Sequence, residues 1–438
     1  MTHHAAFFCG GRFPLAVLLA FAPLACDDTT LADDNEPVDP TGASGPADDP
    51  SAQDDDDDRE TAPTCDATDL RSLTLPVDPY DQQGETFTYH YQYLDRGADD
   101  RPTVVHIPGG PGIPSIGRGP HLPDDVDVVL TDPRGVGCNA FDAPHSASFY
   151  GTERFAEDVI AAISDLGLDN YILYGHSYGT VLSTVVASRI EEAGLPPPKL
   201  IVLEGVLGEA MDSDDAAYRA LWPLVRDALP ESVRDQLSRE PLPLGFDALQ
   251  WGETISTTLS QFSPTVLHNL LLGLDEGAEP TQLAETVEAF TGGTPLWEDE
   301  VTMGLFRPVA CGEIAEDSWF AYELVDGEIA PTINICDDVD LTEPYAAADW
   351  PITTPIVYVQ GTLDPATVHS SARVHFEAQT GSDRTFVALP EIGHAPLSWA
   401  LPTACGDTVW NALLDGGDLD AAVGSCNVGA TVEHRTAE

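Results

Sequence analysis

The amino-acid sequence predicts an α/β fold in which a mostly parallel sheet is flanked by helices and interrupted by a helical cap. Short runs rich in valine, isoleucine and leucine end at glycine, proline or aspartate, which is typical of strands buried on both faces. Amphipathic helical stretches lie between these runs, as expected for crossover connections. The alternation stops after Val206 and resumes near Pro355, which predicts one sheet domain built from two pieces of chain.

The first piece contains most of the predicted strands. Residues 86–93 alternate aromatic and polar side chains, the period of a half-exposed strand. The predicted buried strands are residues 103–107, 126–130, 171–174 and 200–203, and the predicted helices are residues 155–166 and 180–193.

The interruption spans residues 208–350, which are polar and punctuated by proline and show no apolar strand pattern. We therefore expect a helical cap there. Strand patterns return at residues 355–360 (PIVYVQ) and 385–389 (TFVAL), each followed by a helical stretch. The predicted organisation is a sheet domain over residues 65–207 and 351–438 with the cap inserted between them.

The charge of the chain restricts its partners. Its 438 residues include 74 acidic residues against 18 Lys and Arg, a formal net charge of −56. A polyanion that faces another polyanion gains nothing from phosphate neutralisation or counterion release, so nucleic acid and anionic membrane surfaces are poor partners, and no nucleic-acid partner is expected. A hydrophobic fraction of 42% with 7 Trp, 12 Tyr and 15 Phe indicates a real core.

Residues 1–26 predict a secretory signal peptide. Arg12 precedes thirteen uncharged, mostly apolar residues, fewer than the roughly 20 that span a bilayer. The cleavage region Pro23-Leu24-Ala25-Cys26 resembles a bacterial lipobox, with proline where leucine is usual. Lipidation of Cys26, which would anchor the protein to a membrane, and ordinary signal cleavage both remain open.

Residues 27–64 predict an extended, solvated tether. They contain 14 acidic residues, one base (Arg59), five prolines and no aromatic residue, so they cannot offset the entropy of ordering. The aspartate run at residues 54–58 lacks the glycine-punctuated loop of a calcium site.

The cysteines also indicate that the protein is exported. Cys9 lies in the signal, and besides Cys26 six remain, an even number that in an exported chain favours disulfides. None has the spacing of a zinc site. Six cysteines allow fifteen pairings. Proximity along the chain favours Cys311–Cys336 and Cys405–Cys426, which leaves Cys65–Cys138. We expect a secreted, cell-surface or periplasmic protein.

A nucleophile is predicted where the strand at residues 171–174 ends. Gly175-His176-Ser177-Tyr178-Gly179 is a G-x-S-x-G motif followed directly by a helix. The glycines allow a tight strand-to-helix turn that raises the Ser177 hydroxyl above the sheet. A glycine turn with an exposed serine is the alternative.

A serine hydroxyl needs a base, and the base needs an orienting carboxylate. Asp364 follows the strand that ends at Gln360, and His394 follows the strand that ends at Leu389. Since ligand chemistry in open parallel sheets gathers at the carboxyl ends of strands, these positions predict a triad of Ser177, His394 and Asp364. His369 and His375 are expected on a helix.

An oxyanion needs backbone donors. Tyr178 follows the nucleophile and supplies one N–H. The second is expected from the glycines after the strand at residues 103–107, where the backbone must approach substrate closely. Gly110 is preferred and Gly109 is the fallback; a simple glycine-proline turn is the alternative.

Together these motifs resemble the α/β-hydrolase peptidases of the proline iminopeptidase and tripeptidyl aminopeptidase family. The resemblance spans residues 86–401 and is closer to the exported branch with a C-terminal TAP-like region. It implies an α/β-hydrolase fold and exopeptidase action on a free N-terminus without metal or cofactor. The motifs that carry it are residues 109–112 (GGPG), 132–137 (DPRGVG), the elbow, 361–364 (GTLD) and 393–394 (GH), with Cys138 and the late cysteines.

The resemblance also implies carboxylates that bind the substrate ammonium. Glu204, just after the strand at residues 200–203, and Glu313 are the candidates, although any one of 74 acidic residues is more often a solvated surface group. Asp132 and Arg134 are expected to brace their turn by a local ion pair with each other.

The sequence therefore predicts an exported serine exopeptidase that acts near free N-termini of peptides. An esterase or other small acyl hydrolase is the alternative, because the same triad serves both. A non-catalytic surface binding protein is a remoter alternative. The sequence leaves the oligomeric state open.

Overall fold

The computed structural model of the protein describes Cys65 and residues 69–81, 83–97, 101–140, 149–213, 215–275, 281–291, 300–337 and 339–438. The predicted signal peptide (1–26), Cys26 and the tether (27–64) lie outside the described residues.

A nine-stranded sheet organises the described residues, with the strand order β1-β2-β4-β3-β5-β6-β11-β12-β13. Strands β3 to β6, β11 and β12 run parallel, whereas β2 and β13 are antiparallel to the strands that they flank. The strands are β1 Leu70–Pro76, β2 Thr86–Leu94, β3 Thr103–Ile107, β4 Val128–Thr131, β5 Tyr171–His176, β6 Leu200–Glu204, β11 Ile356–Gly361, β12 Arg384–Leu389 and β13 Thr431–Arg435.

Helices cover both faces of this sheet. Alternate residues of the buried strands enter two separate apolar cores: Leu173 of β5 belongs to one and Ile172 to the other. The first core is completed by α1, α2 and α9, and the second by α10 and α11. These helices are α1 Thr152–Leu166, α2 Tyr178–Glu192, α9 His369–Ala378, α10 Thr403–Asp415 and α11 Leu419–Ser425.

These elements confirm the predicted fold class. The strand patterns of the sheet domain each became a strand, with bounds that differ by up to two residues. Strands β1 and β13 were not predicted. Both pair antiparallel at the edges of the sheet, where a strand is less apolar and its pattern is weaker.

The chain between β6 and β11 is largely helical, as expected, but it also contains strands. Its described helices are α3 Asp215–Ala228, α4 Glu231–Leu237, α5 Ala248–Gln261, α6 Pro264–Leu272, α7 Thr281–Thr291 and α8 Glu300–Val309, and its strands are β7 Met211–Ser213, β8 Ala315–Asp317, β9 Trp319–Val325 and β10 Glu328–Asn334.

The expectation that the cap has no apolar strand was wrong. Strands β9 and β10 form an antiparallel hairpin whose turn is Asp326-Gly327, with φ of 52° and 81°. An Asp-Gly pair between strand-forming residues is a strong hairpin signal, because both turn positions need positive φ. This signal was present in the sequence and was missed.

Three disulfides join the predicted pairs, Cys65–Cys138, Cys311–Cys336 and Cys405–Cys426. Disulfides persist in oxidising compartments, so they favour an extracellular or periplasmic protein. Over the described ranges, no helix is both long enough and apolar enough to cross a membrane.

Gly252 lies where α5 crosses the hairpin, and a Cβ there would come within 2.0 Å of the Tyr322 backbone oxygen. We predict that Gly252→Ala lowers the free energy of unfolding by about 1 to 3 kcal/mol, because the backbone must shift. The measurement is chemical denaturation. The matched control is Gly424→Ala in α11, where a Cβ meets open space; this change should be neutral or stabilising by up to about 1 kcal/mol. Equal effects would contradict the close contact.

Candidate active site

Ser177 occupies a sharp turn between β5 and α2. Its backbone has φ 56° and ψ −126°, a conformation that a non-glycine residue rarely adopts. Its carbonyl accepts hydrogen bonds from the N–H and the hydroxyl of Thr180, at 2.8 and 2.7 Å. The observed turn agrees with the predicted elbow, and it places Ser177 directly before the N-terminus of a helix.

The glycines of the elbow are required by close packing. A Cβ on Gly179 would lie 2.1 Å from the carbonyl oxygen of Ile107, at the end of β3, and one on Gly175 would lie 2.3 Å from that of Gly179. Side chains at these positions would therefore push α2 away from the sheet, and the nucleophile turn would not form.

The structure brings Asp364 and His394 together. The Nδ1 atom of His394 lies 2.9 Å from Oδ2 of Asp364, and their side chains are almost fully buried. The carboxylate also accepts hydrogen bonds from Gln360 Nε2 and the Thr367 hydroxyl, and the backbone N–H groups of Ala366 and Thr367 donate to its Oδ1. Asp364 is thus held as an acceptor facing the imidazole.

The loop that carries His394 is held from the cap side. The backbone N–H of His394 donates to the carbonyl oxygen of Ser260, and that of Gly393 donates to Phe262, both at 2.7 Å. Ser260 lies in the last turn of α5, whose final carbonyls have no partner within the helix. The cap therefore uses a helix terminus to support the histidine loop.

Ser177 and His394 meet through the end of β6. The backbone N–H of Ser177 donates to the Glu204 carbonyl at 2.9 Å. At the next residue, Gly205, φ is 61° and a Cβ would lie 2.7 Å from Cε1 of His394. The His394 ring thus packs directly on the residue that follows the one bound to Ser177, and only glycine fits there.

The predicted oxyanion donors lie around the same serine. Tyr178 is the first residue of α2, so its N–H precedes the hydrogen-bonded ladder of the helix and lies at the positive end of its dipole. A Cβ on Gly109 would lie 2.9 Å from Cβ of Ser177, and Gly110 follows with φ 114°. The glycine loop therefore passes against the nucleophile, which leaves Gly110 and Gly109 as candidates.

Glu204 does not lie where a substrate ammonium could reach it. Its side chain is fully buried. Oε1 accepts the backbone N–H groups of Leu397 and Ser398, at 2.5 and 3.1 Å, while Oε2 accepts the hydroxyls of Ser398, at 2.9 Å, and Tyr174. Four donors occupy the carboxylate, so the expected amine-binding role of Glu204 is corrected to a structural contact with the loop after His394.

Glu313, the other amine-binding candidate, lies in the cap segment Ala310–Ile314 after α8. Its carboxylate accepts the backbone N–H of Thr152 at 3.2 Å and the Thr152 hydroxyl, which in turn lies 2.7 Å from the Tyr178 hydroxyl. Burial raises the pKa of Glu313 to about 7, and the nearby carboxylates of Glu343 and Glu153 add to this effect. A titratable carboxyl is therefore linked to Tyr178, the residue that follows Ser177.

Three other histidines, His176, His369 and His375, are not part of the Asp364–His394 pair. His369 and His375 lie on α9, as expected. His375 is buried between the hydroxyls of Thr184 and Tyr358, at 2.8 and 2.9 Å, and burial lowers its pKa to about 3. The His176 ring lies 5.0 Å from that of His394, measured between centroids. Burial, followed by the neighbouring histidines, lowers the pKa of His176, so the ring stays neutral beside His394.

Opposing effects act on the pKa of His394. Burial disfavours the imidazolium, but the charge and hydrogen bond of Asp364, together with the charge of Glu204, outweigh burial and raise the pKa above its ordinary value. The imidazole therefore accepts a proton more readily than a histidine in water.

Two residues of this site were not predicted. Gln360 and Thr367 both donate to Asp364, and the Thr367 hydroxyl also lies 3.1 Å from Nδ1 of His394. Thr367 is three residues beyond Asp364, the spacing at which an aspartate often binds local backbone N–H groups. Gln360, at the end of a buried apolar strand, was the available signal, because a buried amide needs polar partners.

Asp132 and Arg134 brace their surroundings separately rather than pairing with each other. The carboxylate of Asp132 accepts the backbone N–H groups of Ser115 and Ile116, whereas Arg134 forms a buried bidentate pair with Asp158. The expected ion pair between them is therefore wrong, because each side chain is satisfied by another partner.

Comparison with known proteins supports the same architecture. Residues 102–233 match a family profile described as the alpha/beta hydrolase fold. Comparison with curated proteins finds no significant match. The chain has the α/β-hydrolase fold.

Solved structures that resemble the chain include Rv0554 of Mycobacterium tuberculosis, at 16% identity over 74% of this chain and 92% of that one, with a TM-score of 0.42. A probable hydrolytic enzyme of Pseudomonas aeruginosa PAO1 is 14% identical over 75% and 88% of the two chains, with a TM-score of 0.42. A thermophilic esterase of Thermogutta terrifontis is 14% identical over 78% and 96%, with a TM-score of 0.37.

The Asp364–His394 pair can be tested without an activity assay. We predict that the His394 imidazole titrates above about 6.5, the ordinary histidine value, and that Asp364→Asn lowers this pKa, because burial then acts with less opposition. NMR titration measures it, with the signal assigned by its loss in His394→Gln. A pKa that is unchanged in Asp364→Asn would contradict the observed pair.

Proposed function

We propose that this α/β-hydrolase is an exported serine hydrolase that uses Ser177, His394 and Asp364 as its catalytic triad. The observation that carries the proposal is the buried Asp364–His394 hydrogen bond, whose imidazole packs on Gly205, next to the residue that binds the Ser177 backbone. Nucleophile, base and orienting acid occur in the chain order typical of this fold.

In the proposed mechanism, His394 removes the proton of the Ser177 hydroxyl while Oγ attacks the substrate carbonyl carbon. Asp364 keeps the proton on Nδ1 of His394, so that Nε2 is the base, and it stabilises the imidazolium that forms. The backbone N–H groups of Tyr178 and of Gly110, or of Gly109 instead, stabilise the oxyanion.

Collapse of the tetrahedral intermediate breaks the bond to the leaving group, which takes the proton from His394. Water then attacks the acyl-enzyme, with His394 again as the base, and the acid product leaves as the Ser177 hydroxyl is restored. The mechanism needs no group beyond the chain and water.

We infer that the substrate is a peptide with a free N-terminus. The enzyme would cleave it near that terminus, as an exopeptidase of the prolyl or tripeptidyl aminopeptidase type. Two features support this specificity: the resemblance carried by the sequence motifs, and Glu313, a carboxylate linked through Thr152 to Tyr178. The strongly acidic chain would also attract cationic termini at low ionic strength.

One observation favours an esterase or other small acyl hydrolase instead. Glu204 is fully occupied by loop donors, and the pKa of Glu313 is raised to about 7. At neutral pH the remaining carboxylate is only partly ionised, which weakens its hold on an ammonium. An ester substrate does not need that contact.

The proposed location is outside the cytoplasmic membrane. The three disulfides favour an oxidising compartment, and the sequence of residues 1–26 supports export. Lipidation of Cys26 would tether the enzyme to a membrane through residues 27–64, and cleavage without lipidation would release it.

The nucleophile is tested by Ser177→Ala. We expect loss of labelling by an organofluorophosphonate probe and a fall in turnover of at least roughly 10³-fold, because no other side chain takes the place of the hydroxyl. The control is Ser398→Ala, which removes a hydroxyl from the loop that follows His394; this variant should still be labelled. Continued labelling of Ser177→Ala refutes the assignment, and an unreactive wild type supports a non-catalytic binding protein.

The specificity is tested with peptidyl arylamides, their N-acetylated forms and short-chain aryl esters. If an ammonium is bound, acetylation should raise KM about tenfold or more, and Glu313→Gln should do so only for free-amine substrates. Because Glu313 is ionised above pH about 7 and a terminal amine is charged below about 8, the preference should be greatest between these values.

The exposed Glu316, changed to Gln, is the matched control for Glu313→Gln and should leave KM unchanged. Acetylated substrates cleaved as well as free ones, together with faster ester hydrolysis, would identify the enzyme as an esterase or acyl hydrolase.

A further inference from the structure

We propose that Glu204 is a positioning residue that joins the nucleophile turn to the histidine loop, an inference that rests on the proposed triad. Glu204 contacts the backbone of Ser177 and the chain that follows His394. Its backbone carbonyl accepts the Ser177 N–H, and its side chain accepts the N–H groups of Leu397 and Ser398, three and four residues after His394.

The side chain of Glu204 points away from solvent into a closed polar cluster. Tyr174, on the neighbouring strand β5, donates its hydroxyl to Oε2 and lies 2.9 Å from the Ser398 hydroxyl. The Tyr174 ring packs edge-on against Trp410 at 4.8 Å between centroids. Glu204 is therefore anchored in the second apolar core rather than in the space above the sheet.

The loop that Glu204 holds needs an external anchor. Residues Pro396–Ala400 form a single wide helical turn, in which the first N–H groups have no partner within the turn. Glu204 accepts the N–H groups of Leu397 and Ser398 at its start, so the carboxylate does for this turn what a capping side chain does for a helix.

The loop is thus held at two points. On one side, Ser260 of α5 and Phe262, the residue after α5, accept the backbone N–H groups of His394 and Gly393. On the other side, Glu204 accepts those of Leu397 and Ser398. Gly205 lets the imidazole rest against the same strand end. Loss of the Glu204 anchor would leave the chain after His394 free to move, and the base would lose its alignment with Ser177.

The chemistry of Glu204 suggests a matched pair of variants. Glu204→Gln keeps the side-chain length and an oxygen that accepts the backbone N–H groups, while the hydroxyls of Tyr174 and Ser398 can rotate to accept from the amide. Glu204→Met keeps the length and fills the space without strong acceptors. The pair separates hydrogen bonding from packing.

We expect Glu204→Met to lower kcat by about 10²-fold with KM within about threefold of wild type, and by the same factor on esters and on free-amine substrates, because misplaced catalytic groups lower kcat by that order. Glu204→Gln should recover most of the lost kcat. Tyr174→Phe, which removes one of four donors and leaves both backbone contacts in place, should lower kcat only a few-fold.

Three results would overturn the proposal: unchanged kcat in Glu204→Met, a glutamine variant no better than the methionine variant, or a rise in KM confined to free-amine substrates. The last result would identify Glu204 as a ligand of the substrate amine. If Glu204→Met does not fold, Ser398→Ala replaces it; it deletes the hydroxyl donor alone and should lower kcat a few-fold at constant KM.

Amide hydrogen exchange separates this inference from the proposed function. The amides of Leu397 and Ser398 should exchange at least about tenfold faster in Glu204→Met than in wild type and near the wild-type rate in Glu204→Gln. This holds whether or not the protein hydrolyses any substrate tested. Unchanged protection in Glu204→Met would overturn the anchor even in an active enzyme, whereas an unreactive wild type with the expected exchange would refute only the triad.

Discussion

The end of strand β6 is the constraint on which the candidate site depends. Three chain segments that are distant in sequence converge there: the nucleophile turn at Ser177, the loop of His394, and Glu204-Gly205 itself. A backbone hydrogen bond fixes the first, and the absence of a side chain at Gly205 admits the imidazole. The buried carboxylate of Glu204 holds the chain beyond the histidine. Only glycine can occupy position 205, because a Cβ there would overlap the imidazole of His394.

The cap takes part in this arrangement rather than only covering it. The end of α5 and the residue after it supply carbonyl acceptors to His394 and Gly393. The same helix packs closely against the β9–β10 hairpin at Gly252, which has no side chain. From another part of the cap, Glu313 reaches Tyr178 through Thr152. The cap therefore contacts the His394 loop and is linked through Thr152 to the side chain of Tyr178.

Burial reduces the candidate carboxylates to a few in a chain that has 74 acidic residues, and hydrogen-bond partners separate these few from structural groups such as Asp132 and Asp158. Asp364 is buried with its acceptors directed at the histidine, Glu204 is buried with its acceptors directed at a loop, and Glu313 is buried enough to raise its pKa to about 7. Residue type does not separate these three from the exposed acidic residues, although the strand-end position had already picked out Asp364. Desolvation is a property of the folded chain, so residue type alone could not assign their roles.

By itself the sequence determined the fold class and the strand-end positions of Ser177, Asp364 and His394, because periodicity, turn glycines and chain order can be read along the chain. It also predicted the three disulfide pairs, two from the proximity of their cysteines in the chain and the third by elimination. The Asp326-Gly327 hairpin was equally local and was overlooked. Only the tertiary structure decided that Glu204 faces the loop instead of a substrate, that Gln360 and Thr367 support Asp364, and that α5 supports His394. The contacts of Glu204 and α5 join residues far apart in the chain, and their partners exist only once the sheet and cap have packed. Gln360 and Thr367 lie only four and three residues from Asp364, but the direction of their side chains depends on the folded backbone.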